Sequence, residues 1–183
     1  MSVVFFLLDT LFFFLLAACL LRAWMNQQRV QMTVQPGRLV LALTDWLVRP
    51  LRRTLPGRLL QNRIDWGSLL AAVLLALVHA GCELLLAGWL VPVDPAPAAS
   101  LLAVVALALQ MLARTVLQGL MVLLLVYAVL SWVQPQAPVL ALLERLCGPL
   151  LRPVRRIVPL IGGVDLSVLL LIILLQVGLM LLG

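Results

Sequence analysis

The 183-residue sequence is 64% apolar and only 11% charged, whereas a soluble domain is about 45–50% apolar and about 25% charged. That composition excludes a soluble globular domain, because most of the chain must face lipid or other helices. The net charge of +6 comes from 13 arginines with no lysine, and on so hydrophobic a chain it points to anionic lipid headgroups, with no nucleic acid expected as partner.

Residues 3–21 form the first stretch apolar enough to span about 30 Å of hydrocarbon, which takes roughly 17–25 helical residues. Leu16-Ala17-Ala18-Cys19 resembles a lipoprotein cleavage box, but Met1-Ser2-Val3 has no positive charge and Asp9 interrupts the run, so a retained span is expected. Cys19, Cys82 and Cys147 are too scattered for a disulfide framework or a metal site and read as packing residues.

Residues 22–65 carry eight arginines, at positions 22, 29, 38, 49, 52, 53, 58 and 63. On a helical wheel Arg38, Asp45, Arg49, Arg52 and Arg53 fall within an arc of about 100°, while Leu39, Leu43, Leu47, Leu51 and Leu55 point elsewhere. The segment therefore reads as interfacial, and Pro50 predicts short helices joined at the proline instead of one unbroken helix. Asp65 stands where the next span, residues 69–91, begins, and an aspartate there caps a helix by accepting from free backbone N–H groups.

Residues 92–100 are rich in proline and alanine, with Asp94 as their one charge. The apolar run over 98–133 would reach about 50 Å as a single helix. Gln110 and Arg114 interrupt it, so the expectation is a membrane-embedded or interfacial lead-in over 101–112 and a span over 114–133. Residues 134–165 are basic again: Glu144, Arg145, Arg152, Arg155 and Arg156 share an arc of about 120° opposite Leu142, Leu146 and Leu150, with Pro149 and Pro153 as expected breaks. Gly162-Gly163 supply freedom for a turn, Asp165 is placed to cap, and residues 166–182 form the last apolar stretch.

The chain repeats itself. Arg49-Pro50-Leu51-Arg52-Arg53-Thr54-Leu55-Pro56 and Arg152-Pro153-Val154-Arg155-Arg156-Ile157-Val158-Pro159 share most positions, each copy following a span that ends near a tryptophan, Trp24 or Trp132, and preceding Asp65 or Asp165. The expected fold is thus an all-α membrane protein with four transmembrane helices in two tandem helix–amphipathic loop–helix repeats, residues 1–91 and 114–183, joined by a linker and apolar lead-in over 92–113. Twelve of the 13 arginines lie in the two loops, so the positive-inside rule places those loops in the cytoplasm and the termini outside.

Residues 157–167, Ile-Val-Pro-Leu-Ile-Gly-Gly-Val-Asp-Leu-Ser, with Tyr127-Ala-Val-Leu-Ser-Trp132 and the run from Pro149 to Arg156, resemble the YggT family of small bacterial membrane proteins. The match is close over the second half and looser over the first, as in a family with two such repeats. Val168 stands where the family's D-x-S is usually followed by proline, and Gly57 alone stands in the first repeat for the paired glycine of the second. The resemblance implies a multi-pass protein of the bacterial plasma membrane, in a family associated variously with ion or osmotic homeostasis, cell division and cofactor assembly on membrane cytochromes.

Three groups of residues are candidates for function. Arg49, Arg52, Arg53, Arg152, Arg155 and Arg156 form the expected lipid- or partner-facing motif, each worth about 1 kcal/mol near an anionic surface. Asp65, Gly162, Gly163 and Asp165 form the turns and caps. Asp9, His79, Glu83 and Arg114 are ionisable groups inside apolar runs, where an unpaired charge costs about 2.5–3.5 kcal/mol or more; they are expected to gather in the outer leaflet, Arg114 neutralising Glu83, chiefly as a buried pair that fixes helix register. No catalytic, metal-binding or phosphate-loop motif is present, so no enzyme, cofactor or metal is expected. The expected role is a scaffold or assembly factor with a membrane-protein partner or a second copy of itself, the alternative a channel or transporter subunit.

Overall fold

In a computed structural model, residues 3–30, 37–56, 64–90, 101–156 and 165–182 are described, and the turn expected at Gly162-Gly163 lies outside them. Among the described residues the chain is all-helical, with six helices: α1 (Val3–Gln27), α2 (Gly37–Thr54), α3 (Trp66–Leu90), α4 (Leu101–Val133), α5 (Pro138–Arg155) and α6 (Leu166–Leu181). Three of them, α1, α3 and α4, are long and apolar enough to cross a membrane. The fourth apolar helix, α6, has 16 residues and reaches about 24 Å. These helices make the chain a membrane protein by length and composition, and large side chains such as Phe6, Phe14, Leu85, Leu109, Ile173 and Met180 stand exposed on them.

Two compact units divide the chain within α4, at Thr115 and Val116. In the first, α1 packs on α2 and α3, and α2 on α3. Its core combines Leu16 and Cys19 of α1, Val48 of α2, Ala71, Ala72, Leu75, Ala76 and Ala80 of α3, and Ala108 from the early part of α4. The alanine stripe explains the close seat of α3, because small side chains let helix backbones approach where lipid tails offer no competing hydrophobic drive. In the second unit Leu124 and Tyr127 of α4 meet Leu143, Cys147 and Leu151 of α5 and Val168 of α6.

Two expectations about helix breaks are corrected. The run over 98–133 does not divide at Gln110 and Arg114, since Leu101–Val133 is a single 33-residue helix. Glutamine and arginine are good helix formers, so polarity alone leaves the backbone hydrogen bonds intact. Nor do the prolines cut the basic loops into short pieces: Pro50 lies inside α2, and Pro149 and Pro153 inside α5. A proline inside a helix costs about 3 kcal/mol, but the buried faces of these helices (Val40, Thr44 and Val48; Leu143, Leu146, Cys147 and Leu151) supply packing that offsets it.

Tryptophans mark helix ends that adjoin the basic segments: Trp24 near the end of α1, Trp66 at the start of α3 and Trp132 at the end of α4. Indole rings favour the headgroup level of a bilayer. Both basic helices also finish on arginines, Arg52 and Arg53 in α2 and Arg152 and Arg155 in α5, where positive charge complements the helix dipole.

Candidate functional site

In the first repeat the basic helix is tied to the span that follows it. Asp65, its side chain 3% exposed, precedes α3 and accepts from the Ser68 N–H at 3.2 Å and the Ser68 hydroxyl at 2.8 Å, so it caps the helix as the sequence suggested. The sequence did not reveal its main partner. Arg52 Nη2 donates to Asp65 Oδ2 at 2.6 Å. Gly67 makes room for that reach, because a Cβ built there would lie 2.6 Å from Arg52 Cγ.

A second guanidinium completes the network from α1. Arg22, with a side chain only 5% exposed, donates to Thr44 Oγ1 at 2.7 Å and Asp45 Oδ1 at 2.9 Å, and its Nε lies 3.9 Å from Asp65 Oδ2. Arg49 closes the row with a 2.6 Å bridge to Asp45, four residues before it on α2. Three helices thus meet through alternating arginines and aspartates, and each buried carboxylate faces at least one guanidinium, as burial of charge requires.

The second repeat makes the same connection with the equivalent residues. Arg155 donates to Asp165 Oδ2 through Nε at 2.8 Å and Nη2 at 2.5 Å, while Asp165 Oδ1 accepts the Ser167 N–H at 3.1 Å and caps α6. The Arg155 Nη2 group also donates to the Tyr127 hydroxyl of α4 at 3.2 Å. Partial burial works against the Arg155 charge, but the hydrogen bonds to Asp165 and Tyr127 outweigh it and hold the guanidinium above its ordinary pKa.

The six motif arginines therefore divide into two roles. Arg52 and Arg155, the fourth residue of each R-P-x-R-R, turn back onto an aspartate of their own repeat. Arg49, Arg53, Arg152 and Arg156 are exposed. In the second unit Arg145, Arg152 and Arg155 line an open cavity of about 380 Å³ with Tyr127, Glu144 and Leu151, a basic recess large enough for an anionic headgroup.

Of the four ionisable residues in apolar helices, the structure brings three together. His79 Nε2 lies 2.8 Å from Asp9 Oδ1, and Nδ1 lies 4.0 Å from Glu83 Oε2. Arg114 is exposed on α4.

These paired landmarks, repeated once along the chain, have a counterpart among known proteins, since the CCB3/YggT family model matches residues 1–86 and again 101–183. The chain belongs to the CCB3/YggT family. Within that family it is similar to the uncharacterised protein YggT of Escherichia coli K12, at 33% identity over 181 residues, covering 97% of this chain and 87% of the relative. It is also similar to an uncharacterised protein of the proC 3′ region of Vibrio alginolyticus, at 32% identity over 179 residues, covering 97% of this chain and 92% of that one. No solved structure matches. The two CCB3/YggT matches each contain one Arg–Asp clamp, Arg52–Asp65 in the first and Arg155–Asp165 in the second.

Proposed function

We propose that this CCB3/YggT protein is a non-enzymatic, four-span scaffold or assembly factor of the bacterial plasma membrane, which uses α2 and α5 as interfacial helices to hold anionic lipids and a membrane-protein partner. The observation that carries this reading is the duplicated clamp: one arginine of each motif fixes the helix to the head of the next apolar helix, while its neighbours stand exposed, Arg49 with a bridge to Asp45. Leu39, Leu43 and Trp46 are exposed on α2 beside those charges, the mixture of apolar and basic groups that lies stably in a headgroup layer. Arg145 and Arg152 line the recess on α5 and pair with no acidic side chain among the described residues, so an anionic headgroup is the natural counter-ion there. Both basic segments lie in the cytoplasmic leaflet in this reading, and the termini lie outside.

Site-specific photo-crosslinking in native membranes tests it. A photoreactive residue at Arg53 or Arg156 should trap a discrete protein neighbour, and changing Arg49, Arg53, Arg152 and Arg156 together to glutamine should abolish that adduct while membrane insertion persists. Lipid adducts alone, unchanged by the substitutions, would refute the scaffold role.

The gathering of Asp9, His79 and Glu83 favours a second reading, a channel or transporter subunit in ion or osmotic homeostasis. The two separate cleanly, because Glu83→Gln removes the activity in the second reading and leaves the crosslinked neighbour intact in the first.

A further inference from the structure

We propose that Asp9, His79 and Glu83 form a binding site for a divalent transition-metal cation between α1 and α3, where the sequence alone suggests none. The site stands apart from the interfacial helices and uses none of their residues.

Register brings the donors together. His79 and Glu83 are four residues apart on α3 and share one face, and α1, which packs on α3, carries Asp9 opposite them. One donor atom from each residue can be chosen so that all three lie within 4.8 Å of one another. Asp9 Oδ1 stands 2.8 Å from His79 Nε2, the edge between neighbouring ligands when two bonds of about 2.0 Å meet near a right angle, and Glu83, partly exposed, has to turn to join them. The imidazole is the fixed corner: its side chain is 6% exposed, and the Phe12 ring packs against it with centroids 5.2 Å apart.

The spacing on the Glu83 side points to an ion. At 4.0 Å the gap between His79 Nδ1 and Glu83 Oε2 is too long for a hydrogen bond, which ends near 3.2 Å, so this nitrogen of a buried histidine faces a carboxylate it does not bond. The imidazole therefore does not hold Glu83, which can turn toward an ion shared with Asp9 on the Nε2 side. Charge argues the same way. Two carboxylic acid side chains beside one imidazole inside apolar helices, Asp9 about 9 Å along α1 from its start, form a donor set that a doubly charged ion suits. One imidazole and two carboxylates suit zinc, manganese or ferrous iron, whereas calcium and magnesium favour oxygen alone. The half-exposed side of Asp9 leaves room for water to complete the coordination shell.

The test uses the full-length protein in lipid nanodiscs, stripped with chelator and titrated with Zn²⁺ or Mn²⁺, with Mg²⁺ as control. One Zn²⁺ or Mn²⁺ per chain should survive desalting, and Asp9→Asn, His79→Gln and Glu83→Gln should each weaken affinity roughly 10–100-fold, while Cys82→Ser leaves it unchanged. X-ray absorption on the loaded wild-type protein needs no variant and should show nitrogen and oxygen ligands with an imidazole signature. A sulfur shell, equal retention by the Asp9→Asn/Glu83→Gln protein, or no retained metal in the wild type would each overturn the proposal.

Discussion

Arg52 Nη2 and Asp65 Oδ2 stand 2.6 Å apart, so the end of the basic helix α2 is bonded to the residue that starts α3. Asp65 is buried itself and also lies 3.9 Å from the buried Arg22, whose direct bonds go to Thr44 and Asp45. Removing Asp65 takes away the Arg52 bond and the cap on α3, while Arg22 keeps Thr44 and Asp45.

Asp65→Ala should therefore destabilise the protein by about 2–4 kcal/mol, the charge-assisted bond to Arg52 together with the cap on α3. Asp165→Ala should cost less, about 1 kcal/mol and mostly the cap on α6, since Arg155 is more than two-fifths exposed and water can replace its partner. Denaturant unfolding in detergent, followed by α-helical signal, measures both. Equal losses at the two positions would show that the burial of Asp65 is not what separates the repeats.

Gly67→Ala should act through Arg52. The added methyl would lie 2.6 Å from Arg52 Cγ, well inside contact distance, and must push the side chain off Asp65. The loss should approach that of Arg52→Ala, about 1–2 kcal/mol. In an Arg52→Ala background the same change should be neutral or stabilising by up to about 1 kcal/mol, because alanine is the better helix former. This reversal of sign in a double-mutant cycle is the decisive readout.

The sequence announced the apolar helices and both amphipathic faces, because periodicity of 3.6 is a local property. It announced the caps at Asp65 and Asp165 for the same reason. It did not announce the clamps, whose partners lie 13 and 10 residues apart, although the order R-P-x-R-R then Asp in both halves is a signal that pairing would explain. Arg22 reads from the sequence as part of the basic loop, because the apolar run ends at Leu21, yet α1 continues to Gln27 and buries Arg22 against Thr44 and Asp45. Tyr127 shows in the sequence only as part of a family motif. Its hydroxyl meets Arg155 because α4 and α5 pack together through Leu124, Leu143 and Cys147, a tertiary fact that spacing cannot carry.

Cys147 should be inert to thiol reagents at neutral pH. Burial pushes its thiol from 9.0 up to about 12, even with the Arg155 charge pulling the other way. Maleimide labelling of the Cys19→Ser/Cys82→Ser protein should be negligible when folded and rapid when unfolded. The raised value also fixes a sign. The folded state holds this proton more tightly than the unfolded state, so its stabilising contribution is full below pH 9 and declines between pH 9 and about 12, by at most about 1.4 kcal/mol per pH unit. Cys147→Ala should flatten that decline in an alkaline unfolding series.

Arg29 ends α1 in the left-handed region, at φ 53°, a conformation that a residue with a Cβ adopts at a cost of roughly 1–2 kcal/mol. The hydrogen bonds there require it: the Arg29 N–H donates to Asn26 O and the Val30 N–H to Met25 O, both at 3.0 Å, the paired pattern that closes a helix C-terminus and normally uses glycine. Met25 and Val30 are both buried, so the chain cannot relax the turn without exposing them. Arg29→Gly should accordingly raise stability by about 0.5–1 kcal/mol, the relieved strain less the extra freedom glycine gives the unfolded chain. Arg29→Gln separates charge from backbone: it removes the guanidinium but keeps the strain and should bring no gain, whereas Arg29→Asn, which tolerates the left-handed region better, should fall between the two. Equal stabilisation by glycine and glutamine in thermal unfolding would assign the effect to charge repulsion and not to the turn.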